Sequence, residues 1–318
     1  MKVLFVSSAN INEGKQSILV LNQGESLSNI GVNISYFPLL GKGILGYISN
    51  IKKIKKIVSD QQIDIIHAHY GICGIVSFFA KGKAKLIVSF MGTDIIGDVC
   101  LKTKDKILDN LIVKTTKWFA YYKFDHVIVK SSTMIPYLKK GKNYTILPNG
   151  INFSKFYPID KQEARIKLGL DLTKKIVLFA SDPSRLEKNY KLAKEATDLL
   201  DNVDLLVVFN ISQDTLNLYY NAADVCLLTS LHEGSPNFIK ETLAANRVVI
   251  STDVGDVKKN IQNAKNCYIT PFDALKLSLI ISEALNFEKS NGREVISHLE
   301  ESKIAMKINS IYSSLISK

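Results

Sequence analysis

The sequence has few of the features that mark secreted, membrane-spanning or disordered chains. Its 318 residues include seven Pro, 17 Gly and four Cys, and Cys73, Cys100, Cys226 and Cys267 form no CxxC pair and no metal-ligand spacing. This Cys usage indicates reduced thiols in a cytoplasm and argues against a disulfide framework. No apolar run approaches the roughly 20 residues of a membrane-spanning helix, and the N-terminal segment shows no signal-peptide cleavage site. We therefore expect a cytoplasmic protein.

Arginine is absent from the first half of the chain. Residues 1–158 contain 21 Lys, no Arg and nine acidic residues, which is a net charge of +12, whereas the remaining residues balance at −1. This asymmetry indicates an anionic partner for the first half, such as the anionic inner membrane. Nucleic-acid surfaces more usually carry Arg and interleaved aromatic residues, so we expect no nucleic acid. A solvated Lys-rich surface is the alternative.

Strand-like apolar runs alternate with helix-length segments, a pattern typical of doubly wound parallel α/β sheets. The series stops at the turn signal Pro148-Asn149-Gly150 and then restarts. We predict two Rossmann-like domains that face a cleft, at 1–150 and 151–300. We also expect a C-terminal helix at 301–318, and one arrangement open to it is to pack against the N-terminal domain. Helices are expected at 47–59 and 132–140 among others, with mostly helix after 268.

The segment 231–256 is the richest in chemistry. Glu233 follows a predicted buried strand, Ser235 is a plausible helix N-cap, and Pro236 would be the first helical residue. A helix N-terminus suits a phosphate. Glu241 falls about one turn inside that helix, and ionised carboxylates accept hydrogen bonds from sugar or ribose hydroxyls. Taken alone, Glu241 also fits a solvated helix surface.

The segment 222–256 reads A-A-D-V-C-L-L-T-S-L-H-E-G-S-P-N-F-I-K-E-T-L-A-A-N-R-V-V-I-S-T-D-V-G-D. It resembles the donor-binding core of family 4 retaining glycosyltransferases, which have the GT-B fold and share two Glu separated by seven residues. The E-G-S-P-N form is similar to the branch that contains teichuronic-acid and capsule-type transferases. Four further segments are similar to parts of the family, namely its interdomain segment at 146–158, its acceptor-domain loops at 67–71 and 89–94, and the first helix of the same branch at 22–27. The likeness covers roughly residues 1–270.

The resemblance implies a role for each matching residue. Glu241 would bind the ribose hydroxyls of a nucleoside diphosphate sugar, and Glu233 would hold hydroxyls of the transferred sugar. Arg185 and Lys188 are the candidates for a cationic clamp on the diphosphate, which would make a metal unnecessary; a solvated pair at a helix start is the alternative. The donor-binding loop would add Gly234, Ser235, Pro236, Asn237 and Phe238.

The first half supplies the candidate acceptor residues, which are Gly14, His69, Gly92, Thr93 and Asp94. Asp94 either orients an acceptor hydroxyl or caps a helix. His67 and His69 on one strand end supply too few ligands for a metal, which favours a structural or acceptor-loop role.

Three positions depart from the family pattern. Pro183 stands where the family has an Arg, so Arg185 would be a shifted substitute. Met91 replaces the usual His, which contacts the donor sugar in the family, and Asn12-Glu13-Gly14-Lys15 replaces a glycine pair. Of that segment, only Gly14 keeps a close backbone approach to a ligand possible.

The resemblance implies retaining, metal-independent sugar transfer to a cell-envelope glycan or lipid-linked acceptor at the cytoplasmic face of the membrane. The family favours a front-face route, in which the leaving phosphate takes the acceptor proton. Two placements are open for the Lys-rich stretch 51–58. It lies on the membrane leaflet, or its residues Ile51, Ile54 and Ile57 pack into the protein interior, which is the placement we favour.

Three other functions remain as alternatives. A degenerate member that binds a nucleotide sugar or glycan without turnover is supported by Met91, Pro183 and the lost glycine pair. A nucleotide-sugar epimerase would need His and acidic residues in roles that we cannot place, and a nucleic-acid binder is more distant still.

Overall fold

The computed structural model describes residues 1–10, 14–41, 43–97, 100, 103–139, 141 and 143–317. The chain divides into two compact units, of which one comprises residues 1–150 and 301–318 and the other residues 151–300. Each unit is built on one parallel sheet with connecting helices. The doubly wound α/β class expected from the alternating pattern is confirmed.

The first unit has a six-stranded sheet in the order β2-β1-β3-β4-β5-β6, in which all neighbours pair in parallel. Its strands are β1 Lys2–Ser8, β2 Asn33–Leu39, β3 Ile65–His69, β4 Lys85–Ser89, β5 His126–Val129 and β6 Tyr144–Ile146. Its helices are α1 Ile18–Ser28, α2 Gly43–Ile48, α3 Ile51–Gln61, α4 Gly71–Ala80, α5 Thr93–Ile96, α6 Thr103–Tyr122 and, at the other end of the chain, α14 Glu301–Ile316.

The second unit has a five-stranded parallel sheet in the order β11-β10-β9-β7-β8. Its strands are β7 Lys175–Phe179, β8 Val203–Val207, β9 Val225–Leu228, β10 Val249–Thr252 and β11 Cys267–Thr270. Its helices are α7 Lys161–Leu168, α8 Tyr190–Thr197, α9 Gln213–Ala222, α10 Asn237–Ala244, α11 Val257–Ile261, α12 Ala274–Ala284 and α13 Gly292–Val295.

Burial on both faces explains why the central strands are continuous apolar runs. Four consecutive residues of β1, from Val3 to Val6, have no exposed surface, which requires cover on both sides of the sheet. On α3 the apolar residues instead recur at helical spacing. Ile54 and Val58 are buried, Ile51 and Ile57 are half-buried, and the Lys residues between them are exposed. The inward packing of the Ile residues in 51–58 is therefore confirmed.

The helix predicted at 47–59 is interrupted in the structure. Asn50 separates α2 from α3, and its side-chain amide donates to the carbonyls of Leu40 and Gly46 at 2.8 and 2.7 Å. A side chain that bonds nearby backbone in this way competes with the helical ladder. The helix predicted at 132–140 is a shorter 3-10 helix, Ser132–Tyr137, that contains Pro136. Strand β11 was missed because a four-residue apolar run beside a long helix carries little strand signal.

The C-terminal helix α14 belongs to the first unit and packs against α1. A side chain at Gly150 would lie 2.6 Å from the Cα atom of Glu301, so glycine is needed where these backbones approach. Deeper along the helix, the hydroxyl of Tyr312 lies 2.6 Å from Nδ1 of His67, whose Nε2 lies 2.8 Å from Oγ of Ser89. Among the described helices, none is long and apolar enough to span a membrane.

Tyr312→Phe should lower the free energy of unfolding by about 1–3 kcal/mol, because it leaves a buried His67 nitrogen without its partner while keeping the ring. Urea denaturation checks this, with Tyr144→Phe, at a half-exposed Tyr of the same unit, as the control. Equal stability of the two variants would contradict the role of this hydrogen bond.

Candidate functional site

The loops after β7 and β9 bring two of the predicted residues into direct contact. The Nζ atom of Lys188 donates to Oε1 of Glu233 at 2.6 Å, and Oγ of Ser230 donates to the same oxygen at 2.9 Å. The Lys188 and Glu233 side chains are only 15% and 17% exposed. In a parallel sheet, the carboxyl ends of neighbouring strands form the ligand-binding edge. A cation and a carboxylate are therefore held together at that edge of the second unit.

Hydrogen bonds to the backbone hold these two loops against each other. The Leu231 amide donates to the carbonyl of Glu187 at 2.8 Å, and Oγ1 of Thr229 donates to the carbonyls of Lys188 and Asn189 at 3.0 Å. The position of Lys188 relative to Glu233 is therefore set by main-chain contacts as well as by the ion pair.

Glu241 is buried on α10 and is held by a residue that the sequence analysis missed. The Tyr220 hydroxyl donates to Oε2 of Glu241 at 2.7 Å. Burial raises the pKa of Glu241 and raises that of Tyr220 well above its usual range. Phe238 is also buried and meets the Tyr220 ring edge-on at 5.7 Å, so its ring belongs to the core.

The prediction that Ser235 is the N-cap and Pro236 the first helical residue is wrong. Helix α10 begins at Asn237, and Pro236 occupies the cap position without a side-chain hydrogen bond. The Ser235 hydroxyl instead donates to Oδ2 of Asp256 at 2.8 Å, because the loop after β10 places this mostly buried carboxylate beside it. The amides in the first turn of a helix have no intrahelical acceptor, and within the described ranges no side chain caps those of α10.

Lys240 completes this second polar cluster. Its Nζ donates to Oγ of Ser235 at 3.2 Å, the residue is fully buried, and burial lowers its pKa to about 8. In the sequence, the charged Lys240 stands among the apolar residues Phe238, Ile239 and Leu243, and this was a signal that could have indicated the cluster. Nearby, a side chain at Gly255, which has φ +59°, would lie 2.5 Å from the carbonyl oxygen of Gly234. The E-G-S-P-N loop is therefore clamped to the loop after β10.

Nδ1 of His232 and Oδ1 of Asn237 are among the buried polar atoms near this loop that have no hydrogen-bond partner among the described residues. Buried polar atoms in proteins are normally paired, so these atoms are exceptions to the usual pattern.

Arg185 is not brought to Glu233. It is 57% exposed and pairs with Glu187 two residues further on. Because the Arg185–Glu187 pair is exposed, it fits a solvated residue at a helix start better than a cation that holds a diphosphate. Lys188 is the cation that the fold places beside Glu233.

In the first unit, Asp94 binds backbone. Its Oδ1 accepts from the amides of Met91 and Gly92 at 3.0 and 2.9 Å, and its Oδ2 accepts from the amide of Gly71, the first residue of α4, at 2.9 Å. This geometry matches the helix-capping alternative. Burial raises the pKa of Asp94 to about 6. Thr93 lies beside it, with Oγ1 3.3 Å from the Tyr70 hydroxyl.

His67 and His69 are stacked in the interior, with ring centroids 4.4 Å apart. Both nitrogens of His67 are hydrogen-bonded, whereas Nε2 of His69 is buried and has no partner among the residues that the structure describes. Burial lowers the pKa of His69 to about 3. Within the described ranges, no three His, Cys, Asp or Glu side chains are grouped so as to hold a metal ion.

Gly14 adopts a positive φ of +88° in the loop after β1, a conformation that favours glycine. Its amide donates to the carbonyl of Ala9 at 3.0 Å. The neighbouring Asn12 and Glu13 lie outside the described residues.

Acidification should destabilise the protein through the His pair. A buried His with a folded pKa below its unfolded value of about 6.5 contributes stability that is present above that value and is lost as the pH falls. Between pH 7 and pH 5, the wild type should lose about 2 kcal/mol more unfolding free energy than His69→Gln. The raised pKa of Asp94 acts in the opposite direction, but it is common to both proteins. Urea denaturation at both pH values measures the difference, and parallel losses would contradict a neutral, buried His69.

Two family models match the chain. The model described as Glycosyltransferase Family 4 matches residues 15–155, and the one described as Glycosyl transferases group 1 matches residues 171–286. The chain is also 24% identical over 252 residues to TuaC of Bacillus subtilis (strain 168), named as a teichuronic acid biosynthesis glycosyltransferase. That match covers 69% of the chain and 60% of the relative, so the chain matches about three fifths of the relative's length.

Solved structures share the fold over nearly the whole chain. Sucrose-phosphate synthase from Thermosynechococcus elongatus has a TM-score of 0.82 at 19% identity, covering 99% of both chains. Anabaena HepE, solved in complex with UDP-glucose, has a TM-score of 0.77 at 15% identity, covering 99% of this chain and 100% of the other. The chain has the GT-B fold, and its residues 15–155 and 171–286 match the two glycosyltransferase models in turn.

Proposed function

We propose that this protein transfers a sugar from a nucleoside diphosphate sugar to a cell-envelope glycan or lipid-linked acceptor. The observation that carries the proposal is the contact between Lys188 and Glu233 at the ligand-binding edge of the second unit. It provides a cation for a diphosphate and a carboxylate for sugar hydroxyls a few ångströms apart. The HepE complex with UDP-glucose and the teichuronic acid assignment of TuaC support a donor and an acceptor of these classes.

The roles of the remaining residues follow from their surroundings. Glu241, oriented by Tyr220, accepts hydrogen bonds from the ribose. The Ser235–Asp256–Lys240 cluster holds the E-G-S-P-N loop so that the amides at the start of α10 meet the diphosphate. Acceptor binding falls to the first unit, where His69, Gly92 and the loop held by Asp94 lie at the sheet edge.

We infer a retaining, front-face reaction without a metal. The bond from the anomeric carbon to the diphosphate oxygen breaks, and a bond to the acceptor hydroxyl oxygen forms on the same face. The acceptor proton passes to an oxygen of the leaving diphosphate. Lys188 stabilises the negative charge that the diphosphate gains, which is the contribution expected of a fixed cation in a partly dry site.

We place the protein at the cytoplasmic face of an anionic membrane, and we expect it to bind no nucleic acid. The net charge of +12 over residues 1–158, carried by Lys alone, supports the membrane contact.

Donor binding is tested by thermal denaturation with a panel of UDP-, GDP-, ADP- and CMP-sugars and free nucleotides. A ligand at a hundred times its Kd should stabilise the protein by about 2.7 kcal/mol. Glu241→Gln should weaken binding of the active nucleotide about tenfold or more, because the neutral amide accepts ribose hydrogen bonds less strongly. Glu283→Gln is the matched control, since Glu283 also accepts from a Tyr hydroxyl but on the surface of α12. A flat response to every nucleotide would contradict the donor site.

Turnover is tested with Lys188→Met. Transfer should slow about 100- to 1,000-fold, because a charge that stabilises the leaving group is lost. Lys191→Met, at a highly exposed neighbour, is the control, and EDTA should leave the rate unchanged. Nucleotide binding without transfer in the wild type would favour the second candidate, a binding protein without turnover. That candidate is supported by the exposure of Arg185 and by Met91 in place of the His that is usual in the family.

A further inference from the structure

Helix α6 in the first unit presents a second apolar stripe to solvent. Ile107, Leu111, Trp118 and Tyr122 recur at intervals of four, seven and four residues and are 49–70% exposed. Residues at these intervals lie on one side of a helix. Other sides of α6 already supply Ala120 and Phe119 to the core. Packing of the unit alone therefore does not explain the stripe.

The stripe borders an open apolar groove of about 240 Å³. The groove runs between α6, α4 and the α2–α3 junction, and Phe79 on its rim is 57% exposed. Nearly all its lining is hydrocarbon, contributed chiefly by Ile48, Ile51, Ile72, Ile75, Leu108 and Ile112. A contiguous exposed apolar surface of this kind marks an interaction site. We call the α6 stripe and this groove together the apolar face.

Lysines and aromatic rings meet at one end of the apolar face. The Nζ atom of Lys123 lies 5.6 Å from the Trp118 ring centroid, and that of Lys139 lies 5.0 Å from the Tyr122 centroid and donates to its hydroxyl at 3.0 Å. Amphipathic rings and long cationic side chains together suit a boundary between hydrocarbon and water.

Net positive charge surrounds the face. The sequences of α2, α3, α4 and α6 contain eight Lys and three acidic residues, all Asp. On α3, Lys52, Lys53 and Lys55 are exposed beside the groove-lining Ile51. Two copies joined through this face would bring these cations together, whereas an anionic surface would neutralise them.

We propose that the apolar face docks on an anionic phospholipid bilayer, with the α6 stripe entering the boundary between headgroups and acyl chains. The surrounding lysines bind lipid phosphates. This deepens the proposed function by naming the surface that contacts the membrane. The test uses vesicles without donor or acceptor, so its failure is distinguishable from a failure of nucleotide-sugar binding.

Trp118, the only Trp in the chain, reports directly from this face. Its emission should shift to the blue on titration with vesicles of phosphatidylcholine and phosphatidylglycerol, and lipids brominated on the acyl chains should quench it. Phosphatidylcholine alone should bind weakly, and added salt should reverse binding to the mixed vesicles.

Paired variants test the surface itself. Ile107→Gln with Leu111→Gln should weaken vesicle partitioning at least about tenfold, because two side chains that would be buried in lipid become polar. The matched control is Leu275→Gln with Leu279→Gln, an exposed pair at the same spacing on α12 of the other unit. Thermal denaturation should show that both double variants remain folded.

Three results would overturn the proposal. One is the absence of a blue shift with anionic vesicles. Another is vesicle binding that leaves Trp118 unchanged, which would assign the contact to a different face. The third is self-association in sedimentation that disappears in Ile107→Gln/Leu111→Gln, which would assign the apolar face to a second copy of this chain.

Discussion

Burial of parallel strands on both faces is the constraint on which the rest of this structure depends. A strand such as β1 has no solvent-facing side, so most polar chemistry is confined to the loops at the strand ends. In the second unit, the loops after β7, β9 and β10 carry Lys188, Glu233 and Asp256 respectively. Strand order therefore brings together residues that lie up to 68 positions apart in sequence.

Two polar clusters form at that edge, and they differ in how their charges are satisfied. Lys188 and Glu233 neutralise each other while remaining partly accessible to solvent. Lys240, Ser235 and Asp256 are more deeply buried and hold loop to loop. The first cluster therefore keeps a cation and a carboxylate partly accessible, whereas the second holds two loops together.

The first unit uses its polar groups mainly to hold its own loops and its distant helix. Asp94 ties the loop after β4 to the start of α4, and His67 ties β3 to α14 through Tyr312. Its outer surface instead carries exposed apolar residues among lysines on α6. The internal polar groups hold the loops and α14 in place. The surface pattern instead suits a partner that is both apolar and anionic.

The sequence by itself determined the alternation of strands and helices, the charge asymmetry and the spacing of Glu233 and Glu241, because these are encoded locally or in composition. It also limited Asp94 to two roles. Only the tertiary structure decided that Asp94 binds backbone, that Ser235 bonds Asp256 rather than capping α10, and that Tyr220 holds Glu241. It also paired Lys188, and not Arg185, with Glu233. Partners of this kind are set by distances between strand ends and helices remote in sequence, which no local pattern specifies.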